Sequence, residues 1–198
     1  MLKANNLEFH YDNGPWILKG INIFVEAGEV VGLTGPSGLG KTTLARVLAG
    51  YEEPQEGQVT LYDELLPKVG YNPVQLVFQH PEKAVNPRWR MKEILQEAWN
   101  PEESLLKDLG IEKPWLNRWP NELSGGELQR FCVARALGPQ TKFLIADEMT
   151  TMLDAITQAQ IWKVVLNIAK KRNLGVLVIS HEQKIIERIC NRVIELGC

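Results

Sequence analysis

The chain has 198 residues, 44% of them hydrophobic and 23% charged, which gives room for one domain, or one domain with an insertion, and matches an ordinary globular composition. A net charge of −2 excludes bulk attraction to nucleic acid or an anionic membrane, so no nucleic-acid partner is expected and any phosphate binding has to be local. No apolar run approaches the ~20 residues of a membrane helix, and the opening "MLKANNLEFHYDN" lacks the apolar stretch of a signal peptide. In chain order, "LEFHY" (7–11), "ILKGINIFV" (17–25), "VVGLTG" (30–35) and "QVTLY" (58–62) are short apolar runs between turn residues and are predicted as strands. A helix is predicted from Lys41 through "TTLARVLAG", with Gly50 as its stop. "VQLVFQ" (74–79) reads as a buried strand. Between Asn86 and Asn121 short helical pieces are cut by Pro87, Pro101, Pro114 and Pro120, which predicts a helical subdomain inserted over about 83–137. From Ser124 the order is helix, strand "KFLIAD" (142–147), helix 155–172, strand "VLVIS" (176–180), helix 182–190 and strand "RVIEL" (192–196). Such alternation predicts an α/β fold around a mostly parallel sheet with helices on both faces. Within helix 155–172, Ile161, Val164, Val165 and Ile168 form one apolar stripe, and Lys170, Lys171 and Arg172 crowd the last turn, where the helix dipole favours cations. Cys132, Cys190 and Cys198 have no metal-ligand spacing and are expected to be reduced thiols without a role.

Three stretches carry chemistry. "GPSGLGKTT" comprises Gly35, Pro36, Ser37, Gly38, Leu39, Gly40, Lys41, Thr42 and Thr43, between a predicted strand and a predicted helix. That context makes Gly-x-x-x-x-Gly-Lys-Thr a phosphate loop. Its glycines let backbone amides turn inward on a phosphate, the helix start adds positive potential, Lys41 supplies a mobile charge for the β- and γ-phosphates, and the Thr42 hydroxyl suits Mg²⁺. "FLIADE" is a buried strand ending in two carboxylates. Asp147 is placed to hold Mg²⁺, and Glu148 to orient or deprotonate an attacking water, which argues for hydrolysis of a nucleoside triphosphate rather than binding alone. In "LSGGELQR", Ser124 and Glu127 have capping-box spacing, yet Gly125 and Gly126 occupy the first helical turn, where each glycine is worse than alanine by ~1 kcal/mol.

Together these motifs resemble the ATP-binding cassette ATPases, over nearly the whole chain and in the right order. "LSGGE" matches that family's signature sequence, Gln79 its Q-loop glutamine, "TMLD" (151–154) its D-loop, and His181 its switch histidine. The resemblance implies a P-loop NTPase (RecA-like) core with an N-terminal antiparallel β part. It implies that Tyr11 stacks on adenine, that Gln79 lies near Mg²⁺ and the attacking water, and that His181 contacts the γ-phosphate. It further implies a head-to-tail dimer with ATP on the phosphate loop of one subunit, covered by Ser124, Gly125, Gly126 and Glu127 of the other, with Asp154 in the adjoining loop. Asp154 also has the position of an N-cap for the helix at 155.

Within the family, "LVFQHPEKAVNPRWRMKEIL" (76–95), "RWPNELSGGELQRFCVARAL" (118–137) and "DAITQAQIW" (154–162) resemble the ATPases of peptide and nickel importers. That likeness implies a second ATPase subunit, identical or related, transmembrane permease subunits at the cytoplasmic face of the cell membrane, and indirectly a solute-binding protein for peptides, nickel or a metal chelate. Segment 80–100 is the expected surface for the membrane subunits. A cassette ATPase of DNA repair or translation is the alternative, although Lys41 to Ser124 leaves no room for a long coiled coil. A small-molecule kinase leaves "LSGGE", Gln79 and His181 unexplained. Met149 replaces the usual proline, Thr151 and Met152 replace serine and alanine, and Glu182 follows the histidine where aspartate is commoner. None removes a catalytic group, so activity is expected to survive. The chain stops at Cys198, where the family usually continues into an extension that helps the ATPases pair.

Overall fold

The computed structural model describes residues 1–197. In chain order the elements are β1 (Leu2–Phe9), β2 (Leu18–Val25), β3 (Val30–Thr34), α1 (Lys41–Leu48), β4 (Glu56–Leu61), β5 (Glu64–Leu65) and β6 (Val74–Val77), then α2 (Met91–Gln96), α3 (Glu103–Asp108) and α4 (Gly125–Ala136). They continue as β7 (Phe143–Asp147), α5 (Ala155–Arg172), β8 (Gly175–Ile179), α6 (Gln183–Ile189) and β9 (Arg192–Glu195). Short 3₁₀ turns at Pro81–Lys83, Lys113–Asn117 and Pro120–Glu122 punctuate the stretch between β6 and β7. Each begins at or next to a proline, which presets φ and lacks the amide that a first helical turn leaves unpaired.

The strands form an antiparallel sheet ordered β2-β1-β4-β5 and a parallel sheet ordered β6-β7-β8-β3-β9. Alternate residues of the parallel strands face opposite ways. Leu33, Ile145, Leu177 and Ile179 join Leu44, Val47 and Leu48 of α1, together with Leu7 and Val25 of the antiparallel sheet. Leu144, Ala146, Val176 and Val178 join Phe131 and Val133 of α4, Ile161 and Val165 of α5, and Ile186 of α6. The central strands are therefore covered on both sides, which is why β8 and, up to its terminal Asp147, β7 are apolar runs.

Two sequence expectations need correction. The strand expected at 7–11 begins at Leu2 and ends at Phe9, because Asn6, at φ 47°, carries the chain through an irregularity between the Ala4 and Leu7 pairs. Tyr11 consequently lies in a turn, its carbonyl accepting the Gly14 amide at 2.9 Å. Strand β5 was not anticipated: Tyr62 and Asp63, at φ 53° and 66°, form a two-residue turn that pairs Leu61 with Glu64. A tyrosine in that left-handed conformation gives none of the usual Asn-Gly signal. Helix α5 has the expected bounds, with Ile161, Val164 and Val165 buried, Ile168 half-buried and Asn173 as a left-handed C-cap at φ 53°. Burial pushes the Cys132 and Cys190 thiols up to about 11, so neither is a reactive thiolate. Cys198 lies outside the described residues.

The edge strand β9 is pinned by Arg192, whose Nε donates to Glu29 Oε1 at 2.6 Å while Nη2 donates to Glu29 Oε2 at 3.2 Å and to the Phe24 carbonyl at 2.6 Å. Burial raises the Glu29 pKa, but the Arg192 hydrogen bonds, a backbone bond at Glu26 and the Arg192 charge outweigh it, and the carboxyl is held below its ordinary value. A depressed carboxylate stabilises the fold above its unfolded pKa, and that contribution disappears as pH falls through the folded value. Arg192→Ala is expected to lower stability at pH 7 by about 1 kcal/mol. It should also shrink the difference between wild type and variant below about pH 4.5, the ordinary value of Glu29, as thermal unfolding across pH 3–7 will test.

Candidate functional site

Strand β3 delivers the chain into the phosphate loop and α1 takes it out. Gly35, at φ 140°, and Gly40, at φ 85°, are required twice over: an added Cβ would lie 2.7 Å from the Leu196 carbonyl oxygen and 2.7 Å from Ile17 Cγ2, respectively. Gly38, at φ 84°, faces open space. Pro36, Ser37, Gly38 and Leu39 are exposed, whereas Lys41 is buried and crosses under the loop, its Nζ donating to the carbonyls of Gly35 at 2.8 Å and Pro36 at 2.9 Å. The N-cap of α1 is glycine and no acidic residue stands in its first turn, so no side chain competes for the amides there. Ser37, Gly38, Gly40, Lys41, Thr42 and Thr43 line a cleft of about 380 Å³ that Glu148 and His181 complete.

Glu148 is the point of convergence. Its backbone leaves β7 at φ 48°, and its amide donates to the Ile179 carbonyl of β8 at 2.9 Å. One carboxylate oxygen accepts from Gln79 Nε2 at 3.0 Å and the other lies 3.0 Å from His181 Nε2. Gln79 follows β6, Glu148 follows β7 and His181 follows β8, so the order of the parallel sheet brings them together. Asp147, the last residue of β7, is only 3% exposed, and its Oδ1 has no hydrogen-bond partner. Burial raises its pKa; the Thr42 hydroxyl lowers it, the Glu148 charge raises it, and Arg46 and Lys41 lower it, with a net rise. Thr42, Gln79 and Asp147 share the lining of a second cleft, of about 430 Å³. An unpartnered buried carboxylate oxygen beside a hydroxyl and an amide is a set of oxygen donors suited to a hard divalent cation.

The signature segment builds a separate cleft. Ser124 Oγ accepts the Glu127 amide at 3.2 Å and Glu127 Oε2 accepts the Ser124 amide at 2.7 Å, a complete capping box at the start of α4. Asp154 caps α5, its Oδ1 accepting the amides of Ile156 and Thr157 at 3.0 Å each. Those bonds, foremost the Thr157 backbone bond, hold the Asp154 carboxyl below its ordinary pKa. Ser124, Gly126, Glu127, Asp154 and Met152 line a cleft of about 270 Å³ that shares no residue with the phosphate-loop cleft. Met149 is buried in the core, whereas Met152 is exposed. Tyr11 is not among the residues lining the phosphate-loop cleft. Its ring meets Phe9 edge-on at 4.8 Å, and its hydroxyl accepts from Arg46 Nη1 at 3.4 Å. Sequence reasoning missed Gln129, which is 2% exposed and donates from Nε2 to the Phe78 carbonyl at 3.0 Å, joining the signature helix to the residue before Gln79. A polar residue on the buried side of α4 was its only signal.

Among known proteins, the family model for the ABC transporter matches residues 18–151. The nickel import ATP-binding protein NikE of Escherichia coli is 34% identical, over 98% of this chain and 82% of that protein. The protein of the same description from Shigella dysenteriae is equally similar, with the same coverage. The solved dimer of the ATP-binding cassette MJ0796 in a post-hydrolysis state with ADP and Pi superposes with a TM-score of 0.83 at 26% identity, covering 99% of this chain and 94% of that one. This chain belongs to the ABC transporter family. As an ABC ATPase it binds ATP, and its fold is the P-loop cassette. Its phosphate loop, its two strand-end carboxylates and its signature helix all lie within or at the edge of the matched region.

The Asp147 carboxylate of this ABC ATPase is buried without full compensation, which destabilises the charged form at neutral pH. Asp147→Asn is therefore expected to raise the thermal midpoint of the nucleotide-free protein at pH 7, by a few degrees or about 1 kcal/mol. A lower midpoint would mean that the carboxylate is satisfied and stabilising.

Proposed function

We propose that this chain is the ATP-hydrolysing subunit of an importer, and that it energises uptake of nickel, a metal chelate or peptides through partner membrane subunits. The observation that carries the hydrolytic part is the Glu148 carboxylate, held by Gln79 and His181 at 3.0 Å each beside the phosphate loop. Phosphoryl transfer requires little beyond alignment and charge neutralisation. Lys41 and the loop amides take the β- and γ-phosphates, Glu148 orients and deprotonates the attacking water, and His181 donates to the γ-phosphate. Gln79 restrains the carboxylate and links it to the loop after β6. Thr42, Asp147 and Gln79 would hold Mg²⁺, which supplies charge neutralisation on the phosphates when bound. Tyr11 supplies an aromatic face for adenine.

The signature cleft is assigned to the ATP of an opposing subunit, identical or related, arranged head to tail. Its support is internal: within one chain the phosphate-loop cleft and the Ser124–Gly126 cleft have no residue in common. The stretch over about 83–137 is read as an inserted helical subdomain, and 80–100 as the surface that meets the permease subunits. No described helix is long and apolar enough to cross a membrane. By its likeness to importer ATPases we assign the chain to the cytoplasmic face, held there by permease partners, with a solute-binding protein acting upstream. Nickel as cargo is supported by the NikE relatives. No chemistry in the ATPase site reads the solute.

Glu148→Gln is expected to keep ATP binding, lower kcat by a hundredfold or more as removal of a general base does (~10²–10⁴), and accumulate as an ATP-bound dimer in size-exclusion chromatography. A persistent monomer with ATP and Mg²⁺ counts against the head-to-tail pairing. Ser124→Arg should leave ATP binding to the free monomer intact while stopping turnover, as equilibrium binding and phosphate release will report. Loss of monomer binding would put the signature segment on the chain's own nucleotide.

A further inference from the structure

The "DAITQAQIW" stretch places two glutamines in the second turn of α5, and ATP hydrolysis as described gives them no task. Gln160 serves the scaffold, donating to the Asp108 carbonyl at 3.0 Å and accepting from Arg130 at 3.0 Å. Gln158 reaches the active-site side. Its Nε2 donates to Glu182 Oε1 at 2.9 Å and to Thr150 Oγ1 at 3.2 Å, with the Thr150 carbonyl at 3.4 Å. Thr150 lies two residues after Glu148 and Glu182 immediately follows His181. Both ends are fixed independently: Thr150 Oγ1 also accepts from buried Trp162 at 3.1 Å, and the Glu182 amide donates to Ser180 Oγ at 3.0 Å.

We propose that Gln158 is a positioning residue for hydrolysis, tying the turn after Glu148 to the loop that carries His181 so that the carboxylate and imidazole keep their mutual geometry. The inference rests on the reading of Glu148 and His181 as hydrolytic groups. Glu182, in the place where aspartate is commoner, has the extra methylene that brings a carboxylate to Gln158. The bond to it is charge-assisted, the stronger kind. Gln158 is only half-buried and Glu182 is exposed, so neither contributes much to the core. Their loss should move alignment more than stability.

The test uses the full chain with Mg-ATP, measuring kcat, KM, equilibrium ATP binding and thermal midpoint. Gln158→Ala and Glu182→Ala are each expected to lower kcat about tenfold, the effect of one hydrogen bond to a charged group, with KM, binding and midpoint unchanged. The double variant should be no slower than either single one, since both break the same tie. The exchange of Gln158→Glu with Glu182→Gln, which keeps a donor facing an acceptor between these two side chains and leaves the Thr150 hydroxyl to donate where it had accepted, should recover part of kcat relative to the single variants. Wild-type kcat in the single variants, additive losses, or a loss that follows the thermal midpoint and is not recovered by the exchange would overturn the proposal. Glu148→Gln measured in parallel separates the two readings. If it keeps turnover, the active-site assignment fails; if it stops turnover while Gln158→Ala does not, only the role of Gln158 fails.

Discussion

Loops that leave three adjacent parallel strands meet at the carboxylate of Glu148. Gln79 arrives from β6, His181 from β8, and Glu148 itself from β7, with contacts of 3.0 Å on each side. Parallel strands make this possible because their C-terminal ends share one edge of the sheet, and the next strand in the order, β3, sends the phosphate loop to the same edge. Antiparallel neighbours would send alternate loops to opposite ends. The apolar character of β7 and β8 is thus more than core formation: it fixes the register that sets the distance between the loops carrying Glu148 and His181.

The same edge carries local costs. Glu148 adopts φ 48°, a conformation that non-glycine residues rarely take, and Asp147 is buried with an unpartnered oxygen. Neither feature helps the fold. Both fit the proposed role of these carboxylates toward a nucleotide and its cation, where local stability is given up for preorganisation. The stabilising contacts are concentrated elsewhere, in the apolar clusters on the two faces of the sheet and in pins such as Arg192 on Glu29.

Much of this was legible in the residues. The phosphate loop, the strand ending in Asp147 and Glu148, and the Ser124–Glu127 box all rest on local chemistry that spacing reveals. Helix α5 was legible to its end residues because an aspartate cap, a 3.6-residue apolar stripe and a basic last turn agree. What escaped depends on long-range reach. Nothing local to Gln129 announces the Phe78 carbonyl 51 positions away, and nothing near Gln158 announces Glu182, 24 positions on. The early start of β1 escaped because a strand can pass through Asn5 and Asn6 only by an irregular step, with Asn6 at positive φ.

The glycines of "LSGGE" divide along the same line between fold and function. At Gly126 a Cβ would meet Leu153 Cδ2 at 3.2 Å, so packing inside the chain already favours the small residue. At Gly125 a Cβ would meet nothing within 4 Å. Gly125 also lies in the first turn of α4 and is not among the positive-φ residues, so neither crowding nor backbone conformation asks for glycine there. Alanine would favour the helix by ~1 kcal/mol. The capping box of Ser124 and Glu127 offsets part of that loss and keeps the helix start in place. In the head-to-tail pairing proposed above, bare backbone at Gly125 lets another subunit's phosphate approach the N-terminal amides of α4. On that reading Gly126 belongs to this molecule and Gly125 to the pair.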